Sequence, residues 1–152
     1  MNKQKKILYF DMDNVLVDFQ SWIDILSPED KEEYKWRYDD YEWIFWLMTP
    51  IPGAIEAFLL LSEHYDSYIL STSPWKNESS PSDKLRWAKK YLREPAYKRL
   101  ILTHHKNLNI GDYLIDDRTR NGADRFKGEH IHFGTEKFPD WESVINYLMP
   151  RK

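Results

Sequence analysis

At 152 residues the chain is long enough for one folded domain with a real core, and its formal net charge of -3 excludes a surface built to coat a nucleic-acid polymer. The absence of cysteine excludes disulfides, zinc–thiolate sites and thiol nucleophiles, which fits a reducing compartment. No apolar run approaches the roughly 20 residues of a membrane span, and the basic segment 1–6 is followed by only four apolar residues, too few for a signal peptide, so a cytoplasmic protein is predicted.

The run Ile7-Leu-Tyr-Phe10 predicts a buried parallel strand that stops abruptly at two carboxylates, Asp11 and Asp13. Open α/β sheets bind their ligands at the carboxyl ends of such strands. The stretch from Asp11 to Asp18 alone fits a solvated Asp-rich turn equally well.

From Val15 to roughly Met48 the pattern turns helical and crowded with rings, among them Phe19, Trp22, Trp36, Trp43, Phe45 and Trp46. Ser27-Pro28-Glu29-Asp30 carries a capping residue, a proline at the first helical position and an acid at the third, and predicts a second insert helix from about Pro28 to Leu47. Most of the rings are expected to pack a small helical layer, and those at the mouth of a site would stack on a flat ligand.

Thr49-Pro-Ile-Pro-Gly53 breaks the pattern. A surface helix over Ala54 to Tyr65 follows, with Ile55, Phe58, Leu59 and Ser62 on one side. Ser67 to Leu70 predicts the second strand, ending at Ser71-Thr-Ser-Pro74. A helix capped by Ser80 runs to about Leu92 and is expected to bury Leu85, Ala88 and Leu92. Lys84 sits in its first turn, where the helix dipole disfavours a cation. A local anion would explain it, although a solvated lysine is the commoner case.

Leu100 to Leu102 is the third strand, and Tyr113 to Ile115 the fourth, ending in Asp116-Asp117-Arg118. His130 to Phe133 is the fifth, and a last helix from an Asp140 cap presents Trp141, Val144, Ile145 and Leu148. Strands alternating with helices predict an α/β, Rossmann-like three-layer αβα fold with a mainly parallel sheet of about five strands. One domain spans 1–152, with a small helical insert at about 18–50 after the first strand.

In a parallel sheet the successive strand ends share one edge, which gathers Asp11 and Asp13, Thr72 and Ser73, Lys106, and Asp116 with Asp117. Several carboxylates at one point repel one another unless a cation intervenes, and all-oxygen ligation selects a hard ion such as Mg²⁺. Acids, a lysine and hydroxyls together describe a phosphoryl-transfer site. No nucleotide-cofactor glycine loop is present, which favours hydrolysis over ATP-driven transfer.

These four motifs, in this order, resemble those of the haloacid dehalogenase-like phosphatases. More narrowly, Asp11-Met-Asp-Asn-Val-Leu-Val-Asp-Phe19, Thr72-Ser-Pro74, Lys84 to Trp87 and Leu114-Ile-Asp-Asp-Arg118 look like those of the 5'(3')-deoxyribonucleotidases. The resemblance implies Asp11 as the nucleophile that forms an aspartyl-phosphate and Asp13 as the acid and base that serves the leaving group and then water. It implies phosphate binding by Thr72 and Lys106, with Ser73 and Lys84 nearby. It implies Mg²⁺ ligation by Asp11, Asp117 and the main-chain carbonyl of Asp13, with Asp116 acting directly or through water. Phe19 matches a ring that stacks on the base, and the insert matches a helical cap. Two departures stand out. Asn14 occupies a position that is usually glycine, and the insert is shorter than a full nucleotidase cap, which suits a more open site.

The expected ligand is a small phosphomonoester, a nucleotide first and a sugar phosphate second, with neither a nucleic-acid polymer nor a membrane as partner; a homodimer is left open. A non-catalytic binding protein on the same scaffold would lack a catalytic residue, yet the full set is present. His104, His105, His130 and His132 receive no role, since alternating or adjacent histidines without a third ligand are ordinary strand or surface residues. Arg118 is read either as orienting the acid pair or as a surface residue.

Overall fold

The computed structural model describes residues 4–152. Five parallel strands form the sheet: β1 (Ile7–Phe10), β4 (Asp66–Ser71), β5 (Leu100–Leu102), β6 (Tyr113–Asp116) and β7 (Glu129–His132), in the order β5-β4-β1-β6-β7. A separate antiparallel ribbon joins β2 (Val17–Asp18) to β3 (Thr49–Pro50) and brackets the insert. β1 lies at the centre, paired with β4 from Ile7↔Asp66 and with β6 from Leu8↔Tyr113. Its carboxyl end therefore opens at the middle of the sheet, beside the ends of both neighbours, where the strand order reverses.

Helices α4 (Ala54–His64), α5 (Ser80–Tyr91) and α6 (Trp141–Leu148) flank the sheet. Phe10 packs on Phe58 of α4 and stacks on Trp141 of α6, with ring centroids 4.9 and 5.8 Å apart. The buried face of α4 is Ala54, Ala57, Phe58 and Leu61, a different stripe from the expected one, and Leu59 faces solvent. Leu85 of α5 is likewise 43% exposed instead of buried, because Asp83, Lys84, Trp87 and Ala88 take the inward face. Ser80 lies inside that helix and Ser79 takes the cap position, without a side-chain capping bond.

The expected helix from Pro28 to Leu47 does not form. The insert holds α1 (Phe19–Ile25), α2 (Pro28–Glu33), a 3₁₀ turn at Tyr38–Asp40 and α3 (Ile44–Leu47). Ser27 caps α2 as the sequence predicts, its hydroxyl accepting from Asp30 N at 3.1 Å. The helix stops at Glu33, and from Asp39 to Trp43 the backbone finds tertiary partners in place of helical ones. The Asn77 amide donates to the carbonyls of Asp39 and Tyr41, both at 2.9 Å, and Trp43 N donates to Ser79 Oγ. Trp36 and Trp43 adopt left-handed conformations with φ of 69° and 65°, which no helix accommodates. Trp22 and Phe45 are buried in the core, whereas Trp36 is 91% exposed.

Candidate active site

The turn after β1 is wound tightly: the carbonyl of Met12 accepts from the backbone N–H groups of Val15, Leu16 and Val17. Asn14 sits at φ 60° inside it. That left-handed conformation explains why glycine is usual there, and asparagine is among the side chains that tolerate it best. Asp11, held by a 2.9 Å bond from its N–H to the carbonyl of Ile115, lies almost buried at the mouth of the sheet.

Lys106 is the hub of the site. Its Nζ lies 2.9 Å from Asp11 Oδ1 and pairs with Asp116 Oδ2. The other oxygen of Asp116 accepts from Arg118 N at 2.9 Å. Asp117 is 3.6 Å from Arg118 Nε through Oδ2, and its buried Oδ1 has no partner among the described residues. Asp11, Asp116 and Asp117 each offer an oxygen within 4.8 Å of the others'. Three converging carboxylates, one with an orphaned oxygen, fit a hard cation, since all the donors are oxygens.

Asp13 belongs to the same cavity; one of its oxygens is held by Lys84, and the other, Oδ1, has no partner among the described residues. Lys84 is wholly buried, with Nζ 3.0 Å from Asp13 Oδ2, 2.9 Å from Ser71 Oγ and 4.3 Å from the Phe45 ring centroid. The solvated reading of Lys84 is therefore wrong, and the anion that its helix position called for is Asp13. Lys84 does not line the cavity that holds the acids and reaches it only through Asp13. Thr72 lines that cavity, yet its hydroxyl donates to the Thr103 carbonyl at 2.7 Å. Ser73 carries a buried, unpartnered hydroxyl and lines neither active-site cavity.

The acid cavity is small, about 50 Å³, and it adjoins a cleft of about 500 Å³. Asp13, Thr72, Arg118, Arg120 and Asn121 line both spaces. Phe19, Trp36, Tyr38, Pro74 and His104 supply the rings and apolar edges of the cleft. Larger grooves of about 620 and 740 Å³ lie beside β5 and at the opposite end of the sheet, without any of these acids.

A family model described as "5' nucleotidase, deoxy (Pyrimidine), cytosolic type C protein" matches residues 17–140. The chain belongs to that family. It is 62% identical over 144 residues, 95% of this chain and 85% of the relative, to a Vibrio phage KVP40 protein named "Putative 5'(3')-deoxyribonucleotidase". The human cytosolic-type 5'(3')-deoxyribonucleotidase is 32% identical over 100 residues, 64% of this chain and 44% of the human protein. Among solved structures, one described as the "putative HAD-hydrolase YfnB from Bacillus subtilis bound to magnesium" superposes with a TM-score of 0.68 at 14% identity, covering 96% of this chain and 99% of that one, a likeness of fold alone.

For a member of this nucleotidase family, two residues emerge that the sequence left without a role. His130 and His132 point their Nε2 atoms at the main-chain carbonyls of Asp116 and Asp117, at 3.1 and 3.0 Å. Their alternation on one strand face was visible in the sequence, but their targets were not. Arg120, Asn121, Trp36 and His104 also enter the site only through the folding of loops.

Burial and the charge of Asp11 push Asp116 up to about 7 and Asp117 up to about 6, against the pull of Lys106 on the first and of Arg118 on the second. Burial raises Asp13 too. Lys106 is also raised, since Asp11 and Asp116 together outweigh its own desolvation. Carboxyl groups with a raised folded pKa bind protons that the unfolded chain has released, so the metal-free protein loses stability as pH rises from about 4 towards about 7. Thermal melting in EDTA should therefore fall across that window. Mg²⁺ should flatten the slope, because a cation at the acids returns their pKa values towards normal. A melting temperature in EDTA that climbs steadily from pH 4 to pH 7 would contradict the charge arrangement.

Proposed function

We propose that the protein is a Mg²⁺-dependent phosphomonoester hydrolase acting on deoxyribonucleoside monophosphates through an aspartyl-phosphate on Asp11. One observation carries the reading: a small cavity of acids and lysine opens directly onto a ring-lined cleft, with five residues common to both. A phosphate in the first and a nucleoside in the second describe one bipartite ligand. The insert at about 18–50 serves as the cap, supplying Phe19, Trp36 and Tyr38 to the nucleoside side.

The chemistry follows from where the groups stand. The free oxygen of Asp11 attacks phosphorus while the bond to the ester oxygen breaks, and the leaving nucleoside oxygen takes a proton from Asp13. Burial raises Asp13 against the pull of Lys84, with Asp11 adding to the rise, which suits it to carry that proton. Ionised Asp13 then takes a proton from water, which attacks the same phosphorus and releases Asp11 and inorganic phosphate. Lys106, fixed between Asp11 and Asp116, spreads the charge of the phosphoryl oxygens. Mg²⁺ held by Asp11, Asp117 and the main-chain carbonyl of Asp13, with Asp116 directly or through water, would neutralise the remaining charge. Lys84 holds Asp13 in place, and Thr72 would turn its hydroxyl from Thr103 to the phosphate. The cysteine-free composition and a cytosolic-type human relative support a cytoplasmic location. Among the described residues no helix is long and apolar enough to cross a membrane.

The open rim, with Trp36 almost fully exposed, also favours a second reading in which other small phosphomonoesters enter. A panel of deoxy- and ribonucleoside monophosphates and sugar phosphates, assayed for phosphate release with Mg²⁺ and with EDTA, separates the two. Turnover confined to nucleotides and lost in EDTA is expected. Equal turnover of sugar phosphates would favour the second reading, and full activity in EDTA would overturn the metal.

A further inference from the structure

We infer that His132, backed by His130, is a positioning residue that holds the Asp117 carboxylate where a cation needs it. The inference rests on the metal-dependent reading above. β6 ends at Asp116, whose carbonyl still belongs to the sheet: it accepts from Phe133 N at 3.0 Å as well as from His130 Nε2. Asp117 lies one residue past the ladder. Its carbonyl accepts from His132 Nε2 at 3.0 Å, and no other hydrogen bond to that carbonyl exists among the described residues.

The side chain of Asp117 is loosely anchored. One oxygen is buried without a hydrogen-bond partner among the described residues, the other is 3.6 Å from the exposed Arg118, and the Asn14 side chain from the turn after β1 also favours the ionised carboxylate. The register explains how the tether reaches: β7 pairs Leu114 with His130 and Asp116 with His132, so both rings stand on one face alongside the end of β6. The rings stack with centroids 5.1 Å apart and planes 20° apart, which limits the rotation of His132. A carbonyl can only accept, so in each ring Nε2 carries the proton and donates. The ring thus acts through the backbone, one bond network behind the carboxylate that would meet the metal, where outer partners commonly matter about 10–100-fold in affinity or rate.

The test compares two replacements of His132. His132→Gln can still place an amide N–H near the carbonyl, whereas His132→Phe keeps a flat ring and removes the donor. Mg²⁺ binding is read by titration calorimetry without substrate, and kcat and KM are read on a deoxyribonucleoside monophosphate. His132→Phe is expected to weaken Mg²⁺ binding about 10–100-fold and to lower kcat at fixed Mg²⁺ with little change in KM, while His132→Gln recovers most of the loss. Where phenylalanine prevents folding, judged by circular dichroism, His132→Ala removes the same donor. Wild-type metal affinity in the donor-less variants, or an equal loss in the glutamine variant, overturns the inference. A wild-type protein that binds Mg²⁺ but hydrolyses no phosphomonoester would instead overturn the functional reading and leave the calorimetric comparison to decide this one; a wild-type protein that binds no Mg²⁺ overturns both.

Discussion

Asp11→Asn is expected to cut phosphate release by at least about 10⁴-fold, the scale seen when the nucleophile of covalent catalysis is removed. The substitution keeps the shape of the side chain and its Lys106 contact, but an amide nitrogen or oxygen cannot attack phosphorus as a carboxylate does. It also removes the charge that pushes Asp13, Asp116 and Asp117 upward. The variant should therefore melt no lower than the wild type in EDTA at neutral pH, which separates lost chemistry from lost folding. Asp13→Asn should cost less, about 10²–10⁴-fold, since proton transfer contributes on that scale. Rapid quench with phosphate-labelled substrate should find label on Asp13→Asn protein and none on Asp11→Asn protein. Labelled Asp11→Asn protein, or activity within tenfold of wild type, would reassign the nucleophile.

Much of this site was legible because strand ends in a parallel sheet converge. Short apolar runs ending in Asp11, Thr72 and Asp116 specify both the strands and the edge where they meet, and the sheet order β5-β4-β1-β6-β7 puts the first of them at the centre. The insert was less legible, because its backbone is satisfied from outside: Asn77 and Ser79, remote in sequence, bind the carbonyls and N–H of Asp39, Tyr41 and Trp43. Local pattern carries no trace of such partners. Lys84 shows the same limit in a single residue. Its position against the helix dipole announced an anion, but only the packing of α5 beneath the first turn identifies Asp13 as that anion and buries the lysine against it. His132 was hidden for a related reason, since its partner is a main-chain carbonyl, which leaves no mark in the sequence.

Lys106→Met should separate the two cations that the proposed mechanism uses, the ammonium and Mg²⁺. Methionine fills nearly the same volume, so the change is one of charge. In the metal-free protein it leaves Asp11 and Asp116, both nearly buried, facing each other without the ammonium that pairs with both. Breaking a buried ion pair by removing one partner costs about 3–5 kcal/mol, so melting in EDTA near pH 8 should drop by on the order of 10 °C for a chain of this size. The acids have an escape: protonation. Asp116, already pushed up to about 7 with the lysine in place, moves higher without it, so the deficit should shrink towards pH 5, where the carboxyl is neutral in either protein. Mg²⁺ offers a second escape by returning positive charge to the acids, and it should restore much of the melting temperature at pH 8. It should not restore catalysis, because in the proposed mechanism the ammonium also meets the charge of the phosphoryl oxygens, and loss of one such donor costs about 10²–10³-fold. Stability regained with activity still lost would assign the lysine a role the ion cannot fill. Unchanged melting in EDTA at pH 8 would mean that the acids share protons in the resting protein and that Lys106 is not what holds them together.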